Sequence, residues 1–102
     1  MIPAVAERSD ELRRLCLHYG VQRLSLFGSA TSEMRHQEGS DLDFVVEFNA
    51  TALAGYADAY FGLLEALEKL FERPIDLVVE SAIRNPYFLQ SVEQTRTSIY
   101  EA

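Results

Sequence analysis

In the sequence SDLDFVVEF, residues 40–48, the large apolar residues recur at every second position. A period of two is the pattern of a β-strand, in which successive side chains point to opposite faces of a sheet. We therefore predict a strand over residues 41–48. Its core face would carry Leu42, Phe44, Val46 and Phe48, and its other face Asp41, Asp43, Val45 and Glu47.

The two aspartates of this strand, Asp41 and Asp43, are the first candidates for chemistry. Side chains at positions i and i+2 leave the same face of a strand, roughly 6.5–7 Å apart. Two carboxylates held in this way can share a pair of divalent cations, whose separation in two-metal sites is about 3.5–4 Å. A lone Asp-x-Asp pair is more often a solvated surface. Aspartate is a poor strand former, however, so two of them in one strand need an explanation.

A third aspartate, Asp76, lies in a second apolar run, residues 75–79. Pro74 ends the preceding helical pattern, and the run IDLVV predicts a strand. If Ile75, Leu77 and Val79 face the core, Asp76 lies on the opposite face. There it could complete a site of hard oxygen ligands for Mg²⁺ or accept the proton of an attacking hydroxyl. Taken alone, Asp76 could equally be an exposed polar residue.

Gly28 and Ser29 directly follow a third predicted strand, residues 21–27. Glycine lets the backbone turn tightly against a bound group, and N–H groups at the start of a following helix favour an anion. A Gly-Ser pair by itself is weak evidence. Together with Asp41, Asp43 and Asp76 it supplies the parts that phosphoryl and nucleotidyl transfer require: a phosphate turn, metal ligands and a carboxylate for the nucleophile.

Helical spacing predicts three helices around these strands. Residues 3–19 form the first, with Gly20 as its stop and Cys16 as a core thiol, and residues 51–71 form the second, with Thr51 as its N-cap. Residues 87–101 are predicted as a closing helix. These elements indicate one α/β (α+β) domain, residues 1–102, with a single small mixed sheet flanked by helices. Further aromatic residues are expected mainly in the core, with contact to a partner as the alternative: Tyr56, Tyr60, Phe61, Tyr87, Phe88 and Tyr100.

Charge and composition exclude several kinds of protein. Nine Lys plus Arg against sixteen Asp plus Glu give a net charge of −7, so direct binding of nucleic acid through its phosphates is not expected. A basic partner protein or bound divalent cations fit this balance better. The single cysteine excludes an intrachain disulfide. With no signal-peptide pattern and no apolar run near the ~20 residues of a membrane span, we expect a cytoplasmic protein.

Taken together, these motifs resemble the DNA polymerase beta-like nucleotidyltransferase superfamily, and within it the minimal nucleotidyltransferase (MNT) branch. The resemblance runs over nearly the whole chain. It is carried by LFGS at 26–29, SDLDFVVE at 40–47, IDLV at 75–78, NPYF at 85–88 and IYEA at 99–102.

The resemblance implies the polymerase beta-like fold and a role for each motif. Gly28 and Ser29 would hold the triphosphate of ATP, Asp41 and Asp43 would bind two Mg²⁺ ions, and Asp76 would be the third metal ligand and the base. Such minimal domains are commonly the antitoxin halves of toxin–antitoxin pairs and assemble with HEPN-domain toxins, which are typically ribonucleases. Some of them transfer AMP from ATP to a tyrosine hydroxyl of the toxin and so neutralise it.

The segment after Ser29 departs from the family pattern. Residues 30–40 number eleven where the family usually has ten, and they carry Glu33 where it usually has an arginine run; Arg35 is the nearest cation. Two alternatives therefore stay open beside the adenylyltransferase. One is a catalytically weak module that neutralises the toxin by occlusion. The other is an orphan nucleotidyltransferase acting on a small-molecule hydroxyl, disfavoured because such enzymes usually add a second domain for the acceptor.

Overall fold

The computed structural model describes residues 3–28, 41–50 and 55–102, and none of the described helices is both long and apolar enough to cross a membrane. Ser29, the segment 30–40 and Thr51 lie outside these ranges. The elements in chain order are α1 (Pro3–Ala6), α2 (Ser9–His18), β1 (Val21–Phe27), β2 (Leu42–Phe48), α3 (Tyr56–Phe71), β3 (Ile75–Val79), a 3₁₀ turn (Glu80–Ala82), α4 (Pro86–Thr95) and β4 (Thr97–Glu101).

The four strands form one mixed sheet in the order β3-β2-β1-β4. Strand β1 runs antiparallel to both β2 and β4, whereas β2 and β3 are parallel. The parallel pair is possible because α3 crosses over between the two strands, which is the connection that parallel strands require. The predicted single small mixed sheet flanked by helices is confirmed.

Each face of the sheet has its own core. The larger core contains the predicted apolar face of β2 and side chains of α2 and α3, among them Leu12, Leu63 and Leu67. The smaller core joins Val45 of β2 to Phe27 and to Val92 of α4. Helix α4 therefore packs on the face of the sheet that carries Asp43 and Asp76.

Two helix boundaries differ from the prediction. The first predicted helix is broken at residues 7–8 into α1 and α2, because residues 7–10 offer no apolar side chain and Ser9 and Asp10 favour a helix start over a helix interior. Its predicted end is right, since Gly20 has a φ of +71°. Helix α3 begins at Tyr56 with Gly55 in the N-cap position, later than the predicted start at residue 51.

The predicted closing helix is wrong over its last third. Helix α4 ends at Thr95, Arg96 is extended, and residues 97–101 form β4 along the outer edge of β1. Thr, Ile and Tyr are good strand formers, and β1 offers them an unpaired edge. This pairing, which places Leu24 opposite Tyr100, outweighs the weak helical spacing that Phe88, Val92 and Ile99 suggested.

The expectation that the aromatic residues lie mainly in the core is also wrong for several of them. Tyr87 is 81% exposed, Phe61 61%, and Tyr56 38%. Tyr60 and Tyr100 are partly buried and pack against the larger core. Tyr56 and Phe61 line a groove beside β3.

Cys16 is a core thiol as predicted, and its chemistry can be tested. Its side chain is fully buried, and burial raises the pKa of the thiol from 9.0 to about 12. A shift of this size lowers the thiolate fraction at neutral pH by about 10³. We expect the native protein to resist a thiol-specific reagent such as DTNB, and the urea-unfolded protein to react rapidly. Rapid labelling of the native protein would contradict the buried position.

Candidate active site

The sheet brings Gly28, Asp43 and Asp76 side by side. Asp43 is the second residue of β2 and Asp76 the second residue of β3, and the parallel register sets them directly opposite each other. On the other side of β2, Asp43 pairs with Phe27, the last residue of β1. Gly28 follows at once, so the turn after β1 and the two carboxylates lie at one end of three neighbouring strands.

Asp41 lies just before β2 and is exposed. The predicted strand therefore began one residue earlier than the observed one. The charge of Asp41 still acts on Asp43. Within residues 3–28, 41–50 and 55–102, no three His, Cys, Asp or Glu side chains already stand in a metal-ligating arrangement. The structure therefore brings the three aspartates into one electrostatic neighbourhood without a closed ligand cage.

The electrostatics of the site are those of uncompensated negative charge. The pKa of Asp43 is raised above its ordinary value, first by burial and then by the charges of Asp76 and Asp41. Each of these effects penalises the ionised form. A bound cation would relieve the two repulsive contributions, which is the behaviour expected of carboxylates that share a cation site.

Gly28 is confined by its backbone and by Asp43. Its φ is +74°, in the left-handed region that favours glycine, and a Cβ atom added here would lie 3.0 Å from Oδ2 of Asp43. The Gly28 N–H donates to Oγ1 of Thr95 at 3.1 Å. Ser29, the other residue predicted for phosphate binding, lies outside the described residues.

Thr95 is a residue of the site region that the sequence reasoning missed. Its hydroxyl accepts from Gly28 and donates to the carbonyl of Ser91, so it ties the end of α4 to the turn after β1. Thr95 and Gly28 are 67 positions apart. No spacing rule links residues at that separation, and only the packing of α4 on the sheet brings them together.

A polar network fixes the end of α4 on the same face. The Arg96 guanidinium donates to Oγ of the buried Ser25, to Glu80 at 2.9 Å and to Glu93 at 2.8 Å. Burial works to lower the pKa of Arg96, but the hydrogen bond and charge of Glu80, followed by those of Glu93, raise it overall. Arg23 adds a second ion pair to Glu80. These contacts hold Thr95 in position beside Gly28.

Tyr60 of α3 contacts β3 beside the candidate site. Its hydroxyl donates to the carbonyl of Leu77, the residue after Asp76. The pKa of Tyr60 is raised by burial and then by the charge of Asp76, with a smaller effect of Tyr56. Sequence spacing placed Tyr60 on a helix stripe but gave no sign of this proximity.

Removing the charge of Asp43 is expected to stabilise the protein when no metal is present. Because the folded-state pKa is raised, the carboxyl group favours folding while protonated, and this contribution is lost as pH rises through the raised value. At pH 7, Asp43→Asn should therefore melt no lower than the parent, and the difference should vanish in acid. Thermal melts in EDTA at several pH values test this, with Asp10→Asn on α2 as the control. A clear loss of stability in both Asp43→Asn and Asp76→Asn would instead show that these aspartates are structural.

The sequence of this chain matches a known family and known proteins. The model of the nucleotidyltransferase domain family matches residues 9–99 of the chain. A candidate protein adenylyltransferase of Methanocaldococcus jannaschii is 36% identical over 76 residues, which make up 74% of this chain and 74% of that protein.

Solved structures share the architecture. The structure of a candidate minimal nucleotidyltransferase superposes with a TM-score of 0.72 at 27% identity, over 90% of this chain and 89% of that chain. A chain from the complex of a tri-AMPylated Shewanella oneidensis HEPN toxin with an MNT antitoxin matches with a TM-score of 0.63 at 16% identity. That match covers 96% of this chain and 73% of the other, and at this identity it shows a common fold.

Proposed function

Since this chain belongs to the nucleotidyltransferase domain family, we propose that it is an antitoxin that transfers AMP from ATP to a tyrosine hydroxyl of a HEPN-domain toxin. The observation that carries the proposal is the register of three strands, which sets Gly28, Asp43 and Asp76 next to one another. The likeness to a candidate protein adenylyltransferase supports a protein as the acceptor. The fold shared with a chain of an AMPylated toxin complex supports a HEPN partner.

The carboxylates fit Mg²⁺ by their chemistry. Asp41, Asp43 and Asp76 supply only hard oxygen donors, and the pKa of Asp43 is raised first by burial and then by the charges of Asp76 and Asp41. We assign these three residues as the ligands of two Mg²⁺ ions. Bound there, Mg²⁺ would neutralise the charge that develops on the phosphate oxygens. Added Mg²⁺ should accordingly raise the melting temperature of the parent protein, and not that of Asp43→Asn.

The residues themselves would bind, orient and move a proton. Gly28 lets the outer phosphates approach the turn because it has no side chain to exclude them, and Ser29 would donate a hydrogen bond to them. Asp76 is exposed on β3 and would accept the proton of the attacking hydroxyl. The tyrosine oxygen bonds to the α-phosphorus, the bond to the bridging oxygen breaks, and pyrophosphate leaves.

The direct test is the intact mass of the partner. A HEPN-type protein encoded beside this chain would be purified with it and incubated with ATP and Mg²⁺. We expect its mass to increase by one AMP residue per transfer, on a peptide that contains a tyrosine. Incubation with EDTA is the control. A stable complex whose partner stays unmodified with every nucleoside triphosphate would favour neutralisation by occlusion.

A further inference from the structure

Half of the large hydrophobic residues that are exposed in the described part of the chain lie beside β3. Large hydrophobic residues that are exposed in the described part of the chain include Tyr56 and Phe61 of α3 and Phe88 of α4. These three line one groove of about 590 Å³, whose floor includes Leu77 and Val78 of β3. We call this the β3 groove. Its volume lies within the range of roughly 300–1,000 Å³ that is typical of ligand sites.

The β3 groove adjoins the candidate active site. Leu77 and Val78 directly follow Asp76 in β3, and β3 forms one edge of the sheet built by the described residues. Tyr60 lines the same groove. Its pKa is raised by burial and then by the charge of Asp76. Moving across the sheet from β1, one therefore meets Gly28, Asp43, Asp76 and then the groove.

This order indicates the side from which the acceptor approaches. In phosphoryl and nucleotidyl transfer, the attacking and leaving oxygens lie roughly in line on opposite sides of the phosphorus. With the outer phosphates at Gly28, the attacking hydroxyl approaches from the side of β3. The β3 groove is the concave surface on that side.

The charges of the groove restrict its occupant. Arg84 is the one charged residue in the lining that the structure describes, and no carboxylate lines it. A polycationic aminoglycoside would find no carboxylate in the lining to pair with its ammonium groups. A nucleic acid would find a single cation for its phosphates, on a chain of net charge −7. An apolar polypeptide segment matches the aromatic and aliphatic walls without leaving buried charge unpaired.

We propose that the β3 groove is the acceptor site, which binds an apolar segment of the acceptor protein and presents its tyrosine hydroxyl to Asp76. The inference rests on the proposed function, since it locates the acceptor of that reaction. It adds what that function leaves open: the surface that selects the acceptor and the chemistry of the sequence around the modified tyrosine.

Two peptides of equal length and charge test this inference without catalysis. One, Lys-Leu-Val-Tyr-Leu-Val-Lys, has apolar residues around tyrosine, and the other, Lys-Ser-Asn-Tyr-Ser-Asn-Lys, has polar ones. Each is titrated into isotope-labelled protein in the absence of nucleotide and metal. We expect the apolar peptide to shift the amide resonances of Val78, Ile83 and Phe88, and the polar peptide to bind at least roughly tenfold more weakly.

Phe61→Ser and Leu17→Ser form a matched pair of variants. The two residues are exposed to nearly the same degree, 61% and 63%, and Leu17 lies on α2, outside the groove. Both substitutions should therefore leave the melting temperature nearly unchanged. Phe61→Ser should weaken binding of the apolar peptide roughly tenfold, whereas Leu17→Ser should not. Binding of Mg-ATP, measured by calorimetry, should be the same in all three proteins.

Several results would overturn the inference. Weaker Mg-ATP binding in Phe61→Ser would place the adenine base in the groove. Dimerisation of the parent that Phe61→Ser abolishes, seen by sedimentation, would make the groove a contact between two copies of this chain. Equal binding of both peptides, or shifts outside the groove, would show that it selects no apolar segment. If the apolar peptide binds the groove but no partner is ever adenylylated, the proposed function fails while the groove remains a peptide site.

Discussion

Replacing Asp43 by asparagine is expected to lower the rate of AMP transfer by on the order of 10³-fold, while the complex with the partner protein still forms. Asp43 stands between Gly28 and Asp76 in the strand register, so it is next to both the phosphate turn and the carboxylate on the acceptor side. Asparagine preserves the shape of the side chain and removes its charge. The rate is measured by the intact mass of the partner at several times, and the complex by size-exclusion chromatography.

Asp10→Asn is the matched control, because Asp10 is an exposed aspartate on α2 and has no part in the site. It should transfer AMP at the parental rate. In cells that express the toxin, Asp43→Asn should bind its partner and fail to protect, whereas Asp10→Asn should protect. Full protection by Asp43→Asn would contradict the catalytic proposal and favour a module that acts by occlusion.

Replacing Gly28 by alanine is expected to destabilise the fold by roughly 1–2 kcal/mol and to lower the transfer rate on the order of 10²-fold. The positive φ of Gly28 accounts for the loss of stability. The loss of rate follows because the new Cβ would lie 3.0 Å from Oδ2 of Asp43 and would displace that carboxylate. Thermal melts give the first quantity, and initial rates of partner modification give the second.

Gly55→Ala serves as the control for this glycine. A Cβ atom at Gly55 meets no atom within 4 Å, and this residue lies at the start of α3, away from the three aspartates. Its stability should change by less than about 1 kcal/mol, and its transfer rate should be unchanged. Equal loss of activity in both glycine variants would mean that Gly28 has no special relation to Asp43.

The strands that carry the site could be predicted from local patterns. The bounds of β1 and β3 agree with the prediction, and β2 differs by one residue, because alternation in a strand with one buried face leaves little freedom of register. The placement of Asp43 and Asp76 on the face opposite the larger core follows from the same alternation. The starts of the helices were harder to predict, because the sequence before α3 is compatible with either a helix or a turn.

The last third of the chain shows where local patterns fail. Residues 97–101 have weak helical spacing and good strand propensity, and only the unpaired edge of β1 decides between them. The exposed rings of Tyr56, Phe61 and Tyr87 were expected in the core because apolar spacing does not reveal which stripe of a helix will be covered. The exposure of Tyr56 and Phe61, which line it, is what identifies the β3 groove.

Local sequence patterns were sufficient for β1, β2 and β3, for the face on which the aspartates lie and for the glycine that ends β1. These features are local, because they depend on the alternation of side chains along one segment and on backbone sterics. The tertiary structure decided that Asp43 and Asp76 are direct neighbours, that Thr95 holds Gly28, and that β4 closes one edge while the β3 groove opens at the other. Such relations join residues far apart in the chain, and they are fixed only when the strands select their partners and the helices cover the two faces.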